Sequence, residues 1–332
     1  MTDFSREFPI ECLTDTVLKE NGWFKDLLFR WHPAGDAVNS RLGDTEGMLA
    51  RGCASNKGEF QHLRVAFRKG YMNFYCGGQS IANVKFGRDG LQAKIHEKYV
   101  YGIEEPGEHY VTLTSKGFPK RGTRQLVAYD SMQEWISNAN TKIGQEKRFV
   151  DLIVARNADV IDLEMGIPAY SKDPKERCAP RIDLLALEPC EGWWRIASWE
   201  AKLVGDGRAR CSGNELPEVV DQLRHYTDWL SDSARAKRVA EAYQENCSLL
   251  VKLHKIARDI RPDIKELGAG ILAVAASNTR LPLVDKKPRL LIIYDKDDKS
   301  FIENEHLDKL EGAGFPVKTV KSLSDLALCR QS

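Results

Sequence analysis

Between Arg181 and Leu203 lie two apolar runs, RIDLLALE and WRIASWEAKL, and both carry ionisable side chains where a buried segment would hold aliphatics. A short polar stretch ending in Gly192 joins them, and both runs have the composition of strands, so the pair predicts a β-hairpin. Residues at i and i+2 of a strand share a face, which sets Glu200 beside Lys202, and the hairpin brings Asp183 alongside them. Charged groups inside a sheet are unfavourable unless they are paired or bound to a cation. Two acids and an amine in that position can hold a hard divalent cation and set a charged amine next to its water. The plainer reading is a set of ordinary ion pairs at strand ends.

The flanking segments narrow the choice. After Lys202 the glycine-rich loop VGDGRARCSGN leads into ELPEVVDQLRHYTDWL, where Val219, Val220, Leu223, Tyr226 and Leu230 recur at helical spacing. Pro217 suits a first helical turn, with Asn214 or Glu215 near the cap. Gln222 and Tyr226 fall at i and i+4, on one face of that helix. Upstream, GQEKRFVDLIVARN is patterned as a helix, VIDLEMGIP as a strand and RIDLLALE as the next strand. The order is helix, three strands, helix. On the first strand Asp162 and Glu164 alternate, and they are expected to meet backbone or basic partners at the sheet edge, a second metal ion being the other use.

Taken together, PRID (Pro180 to Asp183), Glu200-Ala201-Lys202 and the Gln222-Leu223 and Tyr226 of a QLxxY element resemble the PD-(D/E)xK nuclease superfamily, in its RecB-like variant. That resemblance implies an α/β fold: a restriction-endonuclease-like α-β-β-β-α-β core with a mixed central sheet flanked by helices. It implies Mg²⁺ or Mn²⁺ held by Asp183, Glu200 and the Ala201 carbonyl, with Lys202 orienting or deprotonating the attacking water. Gln222 would position Lys202 or a phosphate. A helix-borne acid would complete the site, Glu146 as first choice and Asp151 as second. The implied substrate is nucleic acid, DNA ahead of RNA, cut as an endonuclease ahead of an exonuclease; cutting both strands of a duplex would favour a homodimer. The rival is a protein of the same fold that binds nucleic acid or scaffolds a partner without cleaving. A metal-dependent hydrolase of some other substrate is a third reading. No ATPase motif occurs, so a helicase-type partner would be a separate protein, and the architecture is similar to stand-alone bacterial defence nucleases.

Composition bears on partners. The chain has 332 residues and a formal net charge of +1, so any grip on phosphates must come from local patches. From Gln61 to Val100, short alternating runs punctuated by Lys69-Gly70, Gly77-Gly78 and Asp89-Gly90 predict an antiparallel meander of about four strands. Alternation puts Leu63, Val65 and Phe67 on one face and Arg64 and Arg68 on the other. With Lys85, and with Tyr226 on the helix, these are the candidate substrate contacts. Basic residues mixed with aromatics suit backbone or single-strand binding, and equally an ordinary strand with a solvated face. A β-rich module over 1–125 and a nuclease domain over 126–332 follow. Beyond the QLxxY helix, residues 231–267 read as helical, Gly268 to Gly270 as its end, GILAVAAS as unassigned, PRLLIIYDKDD as a buried strand, 301–311 as a helix, and the remainder as a strand and a terminal helix. The 8 cysteines form no CxxC pair, no signal segment or membrane-length apolar run is present, and a reduced cytoplasmic protein is expected.

Overall fold

The structure is a computed structural model and describes residues 4–36, 62–103, 109–167, 181–213 and 215–329. Pro180 and Asn214 lie outside these residues. Helices α1 (Asp15–Glu20) and α2 (Gly22–Arg30) precede an antiparallel sheet in the order β1 (Arg64–Arg68), β2 (Tyr71–Cys76), β3 (Gln79–Gly87), β4 (Gly90–His96) and β5 (Tyr110–Leu113). The meander thus gains a fifth strand. The glycines read as turn signals take the left-handed backbone that tight hairpins need, Gly70 at φ 77° and Gly90 at φ 98°. Residues Glu97–Val100, expected to extend β4, instead form α3, because the His96 side chain accepts the Lys98 N–H and caps a helical turn.

A short hairpin of β6 (Phe118–Pro119) and β7 (Leu126–Val127) leads to α4 (Gln133–Asn140) and α5 (Gln145–Arg156). The central sheet follows, with β8 (Val160–Gly166), β9 (Arg181–Cys190) and β10 (Trp193–Leu203) forming antiparallel neighbours. After α6 (Glu218–Ser231), α7 (Ser233–Ile260) and α8 (Ala269–Ala276), the short β11 (Leu283–Val284) and then β12 (Arg289–Ile293) return parallel to β10. Helices α9 (Ser300–Glu303) and α10 (His306–Gly312) lead to β13 (Val317–Val320), parallel to β12. The sheet order is β13-β12-β10-β9-β8, so the architecture is α/β with a mixed central sheet. Alternation along β9 and β10 sends Leu184, Ala186, Ala197 and Trp199 against Phe149 and Ile153 of α5. Leu185, Leu187 and Ile196 point to the other face, toward Val219, Leu223 and Tyr226 of α6. No described helix is long and apolar enough to cross a membrane.

Three details differ from the expectations drawn from sequence. Pro217 occupies the N-cap position of α6 rather than its first turn. GILAVAAS is a helix and Gly268 opens it: the Asp159 carboxylate accepts the Ile271 N–H at 3.1 Å, and a side chain on Gly268 would lie 2.2 Å from that carboxylate. The last helix is a single 3₁₀ turn, Leu323–Leu326, closed by a capping box between Ser322 and Asp325.

The larger correction concerns Arg64 and Arg68. Strand β1 is covered on both faces: Leu63 and Phe67 enter the core beneath α2, and its polar face turns against α5 and β8. There Arg64 meets Asp151 at 3.3 Å and Arg68 meets Asp162 at 2.6 Å, with Arg6 reaching Asp162 at 3.1 Å and the Tyr243 hydroxyl also donating to it. These arginines are interior ion-pair partners and not an exposed phosphate grip. Asp162 therefore has the basic partners expected of it, while Glu164 pairs with Lys147 at 3.2 Å. Removing one member of a buried pair strands the other charge, so Asp162→Ala is expected to destabilise the protein by about 3–5 kcal/mol, read as a fall in the urea midpoint. A loss under about 0.5 kcal/mol, the size typical of a surface site, would contradict this placement.

Candidate active site

The β9–β10 register pairs Leu184 with Trp199, and the ladder continued by one residue sets Asp183 opposite Glu200. Asp183 Oδ2 accepts the Ala201 N–H at 2.8 Å, which fixes its carboxylate against the strand that bears Glu200 and Lys202. The Lys202 ammonium donates to Glu200 Oε1 and, at 2.9 Å, to the Ala201 carbonyl. Glu200 is 2% exposed and Lys202 1%, so this pairing takes place inside the sheet. The second Glu200 oxygen, Oε2, is buried and makes no close hydrogen bond, although the Gln222 side chain acts on the same carboxylate. A polar atom in that state is unusual and calls for a physical explanation.

Two helices close the cluster. Glu146 lies in the first turn of α5, within electrostatic reach of Lys202, Asp183 and Glu200. On α6, Gln222 is close enough to Glu200 to favour its charged form, and its amide donates to the Tyr226 hydroxyl at 2.8 Å. Tyr226 is wholly buried and donates in turn to the Arg181 carbonyl, which fastens α6 to β9 two residues before Asp183. Tyr226 is therefore a structural tie, and Gln222 sits by Glu200, the carboxylate that Lys202 also meets.

The electrostatics follow from burial and crowding. Burial, then the Glu200 carboxylate, pushes Asp183 well above the ordinary carboxyl range. Burial raises Glu200 and Glu146 as well, with Lys202 pulling each part of the way back. For Lys202 burial opposes the charge, but Glu200, Asp183 and Glu146 outweigh it and hold the ammonium above its usual value. Three acids thus share one buried amine.

The structure brings together Glu146, Asp183, Glu200, Ala201, Lys202 and Gln222. Asp151 is elsewhere. Burial alone would raise its carboxyl, but His62 at 2.7 Å and Arg64 hold it well below the ordinary range. Lys85 lies on β3 opposite Gln92, and no hydrogen bond or ion pair among the described residues links it to the cluster. One residue was missed by sequence reasoning: Arg208, 46% exposed at its side chain, lies 3.8 Å from Glu146 and is braced at 2.6 Å by Asp206. Its only signal was a basic residue in the glycine-rich loop after the Lys202 strand.

Among the described residues no group of three or more His, Cys, Asp or Glu side chains is gathered as a metal site. The oxygens in the cluster come from two strand carboxylates, one backbone carbonyl and, at its margin, Glu146. The chain matches no family model, no curated protein and no solved structure with which it was compared.

A raised acid has a definite consequence for stability. Between the ordinary value of Asp183 (3.8) and its higher folded value, the folded state binds the proton more tightly than the unfolded state does. Stability of the metal-free protein therefore falls as pH rises through that window. Asp183→Asn, which keeps an oxygen for the Ala201 N–H, is expected to raise the metal-free Tm at pH 7, by about 0.5–2 kcal/mol in stability terms, and to flatten the pH dependence above 4. A lower Tm at pH 7 would contradict it.

Proposed function

We propose that the chain is a metal-dependent nuclease of the PD-(D/E)xK type, hydrolysing phosphodiester bonds in nucleic acid, with DNA as the first polymer to test. One observation carries the reading: three acids, Asp183, Glu200 and Glu146, converge on the single buried ammonium of Lys202. An ordinary interior ion pair would not leave such an excess of acids over amines. The order of elements α5, β8, β9, β10, α6, β12, with β12 parallel to β10, also supports it.

These donors fit a hard divalent cation, because all are carboxylate or carbonyl oxygens of the kind Mg²⁺ or Mn²⁺ takes. Asp183, Glu200 and the Ala201 carbonyl would hold it, with Glu146 in support. When bound, the ion supplies neutralisation of the phosphate charge and an acidified water. The protein's own share can be read from its residues. In the metal-free cluster Glu200, Asp183 and Glu146 favour the Lys202 ammonium, which would act as a donor that orients water and stabilises charge growing on the phosphate. Gln222 and Tyr226 lock α6 to β9 and so keep Glu200 and Asp183 in place. Arg208, at the exposed rim, has its Nε and Nη2 held on the Asp206 carboxylate and would meet a phosphate through Nη1.

The rival, a non-cleaving nucleic-acid binder, draws on one feature: Lys202 already occupies Glu200 Oε1 and the Ala201 carbonyl, two oxygens that a cation would need. A cleavage panel of linear, circular and single-stranded DNA and of RNA, with Mg²⁺ or Mn²⁺, separates the two. Asp183→Ala, Glu200→Ala and Lys202→Ala are each expected to lower cleavage by at least about 10²–10³-fold with the fold intact by circular dichroism. Arg208→Ala should lose about 10-fold, mainly in KM. Full activity in any of the first three variants would overturn the assignment.

A further inference from the structure

With Arg64 and Arg68 turned inward, a substrate needs another surface, and a cationic path does run from the cluster to the N-terminal sheet. Helix α5 begins beside the acids, with Lys142 just before it and Lys147 next to Glu146. The β2–β3 turn docks onto this end. Gly77 and Gly78 both have positive φ, and side chains there would lie 2.4 Å from Ile143 and 2.9 Å from Lys147, so only glycines allow the approach. Lys147 Nζ donates to the Gly78 carbonyl at 3.1 Å, and Gln79 donates to the Lys142 carbonyl at 3.0 Å. The Tyr99 hydroxyl donates to Gln79 at 3.0 Å, and Asn138 of α4 donates to the Tyr99 carbonyl at 2.8 Å. Lys98 lies with its ammonium 4.9 Å over the Tyr99 ring.

This docking gathers Lys98, Lys142 and Lys147, and burial together with the other two ammonium groups lowers Lys98 below its usual value. From Lys147 the path continues through Glu164 at 3.2 Å to Arg181, 3.8 Å from the same acid. Arg181 is 68% exposed at its side chain and shares a face of β9 with Asp183. Two of the four cations, Lys147 and Arg181, share the Glu164 carboxylate, and among the described residues neither Lys98 nor Lys142 makes an ion pair. Docking holds the Lys147 ammonium on the Gly78 carbonyl and the Lys98 ammonium over the Tyr99 ring, with Lys142 exposed beside them, and a chain of anions is the partner that relieves such like charges.

We propose that Lys98, Lys142, Lys147 and Arg181 form a phosphate track along which a polynucleotide strand runs from the Asp183–Glu200–Lys202 site to the N-terminal sheet. The proposal rests on the nuclease reading for its starting point but makes a separate claim about binding. The N-terminal sheet then acts through α3 and the β2–β3 turn to hold the substrate away from the bond that is cut.

The test uses the full chain and labelled single-stranded and duplex oligonucleotides, with Ca²⁺ replacing Mg²⁺ to prevent cleavage, and reads binding by anisotropy across a salt series. Lys98→Gln/Lys142→Gln removes two cations, so the slope of log K against log salt should become shallower by about 1.4 for the single strand or about 1.8 for the duplex. Hydrolysis of bis(p-nitrophenyl) phosphate with Mn²⁺, a diester too small to reach the track, should be unchanged in the same variant. Lys142→Glu, at an exposed position, serves as a second variant should the double substitution fail to fold, and it too should weaken binding and lower the slope. A wild type that binds neither oligonucleotide, or variants with an unaltered slope, would overturn the track even if the diester is cleaved. Wild-type protein that binds but cleaves no diester, with the expected slope change in the variants, would leave the track standing and remove the nuclease reading.

Discussion

Two carboxylates and an ammonium set into one β-sheet, Glu200 and Lys202 buried and Asp183 half-buried, set the terms for the elements around them. Each ion loses several kcal/mol of hydration on burial, and a single Lys202 cannot repay both Asp183 and Glu200. What remains must be held by geometry. The Ala201 N–H pins Asp183, the Gln222–Tyr226–Arg181 chain pins α6, and α5 begins where Glu146 can join the acids. A sheet optimised for stability would place aliphatics at these positions. Retaining the charges is the pattern of a site where stability is traded for function.

Ion pairs also explain how the N-terminal sheet and the central sheet are joined. Asp151 and Asp162 are buried where the polar face of β1 meets α5 and β8, and each is neutralised by residues of the N-terminal part: His62 and Arg64 for one, Arg6 and Arg68 for the other. The apolar cluster runs from Phe24 and Phe67 through Ile161 to Leu223 without interruption. The same union puts the β2–β3 turn on the start of α5, beside Glu146, so anything the N-terminal sheet binds is held close to the cluster.

Much of the central layout was legible in the sequence, because its signals are local. Period-two alternation and Gly192 defined the hairpin of β9 and β10, period-3.6 patterning defined α5 and α6, and hairpin geometry alone set Asp183 against Glu200 and Lys202. Glu146 was found as the better of two helix acids. What stayed hidden depends on contacts between distant segments. Alternation separated Arg64 and Arg68 from the apolar face of β1, yet it could not say that another sheet would cover them. Tyr226 looked like a substrate contact because the carbonyl it binds, that of Arg181, lies on another element. Gly268 looked like a helix stop because its neighbour Asp159 is far away in the chain. Arg208 sits in a loop, where no periodicity marks a residue.

If the buried carboxylates exist to bind a cation, crystals of the protein soaked in Mn²⁺ will show it through the anomalous signal of the metal. A peak is expected among Asp183, Glu200 and the Ala201 carbonyl, with the Lys202 ammonium withdrawn from Glu200 Oε1, and that peak should vanish in Asp183→Ala. An intact, metal-free cluster with Lys202 still bridging Glu200 and Ala201 at saturating Mn²⁺ would contradict the cation-binding role.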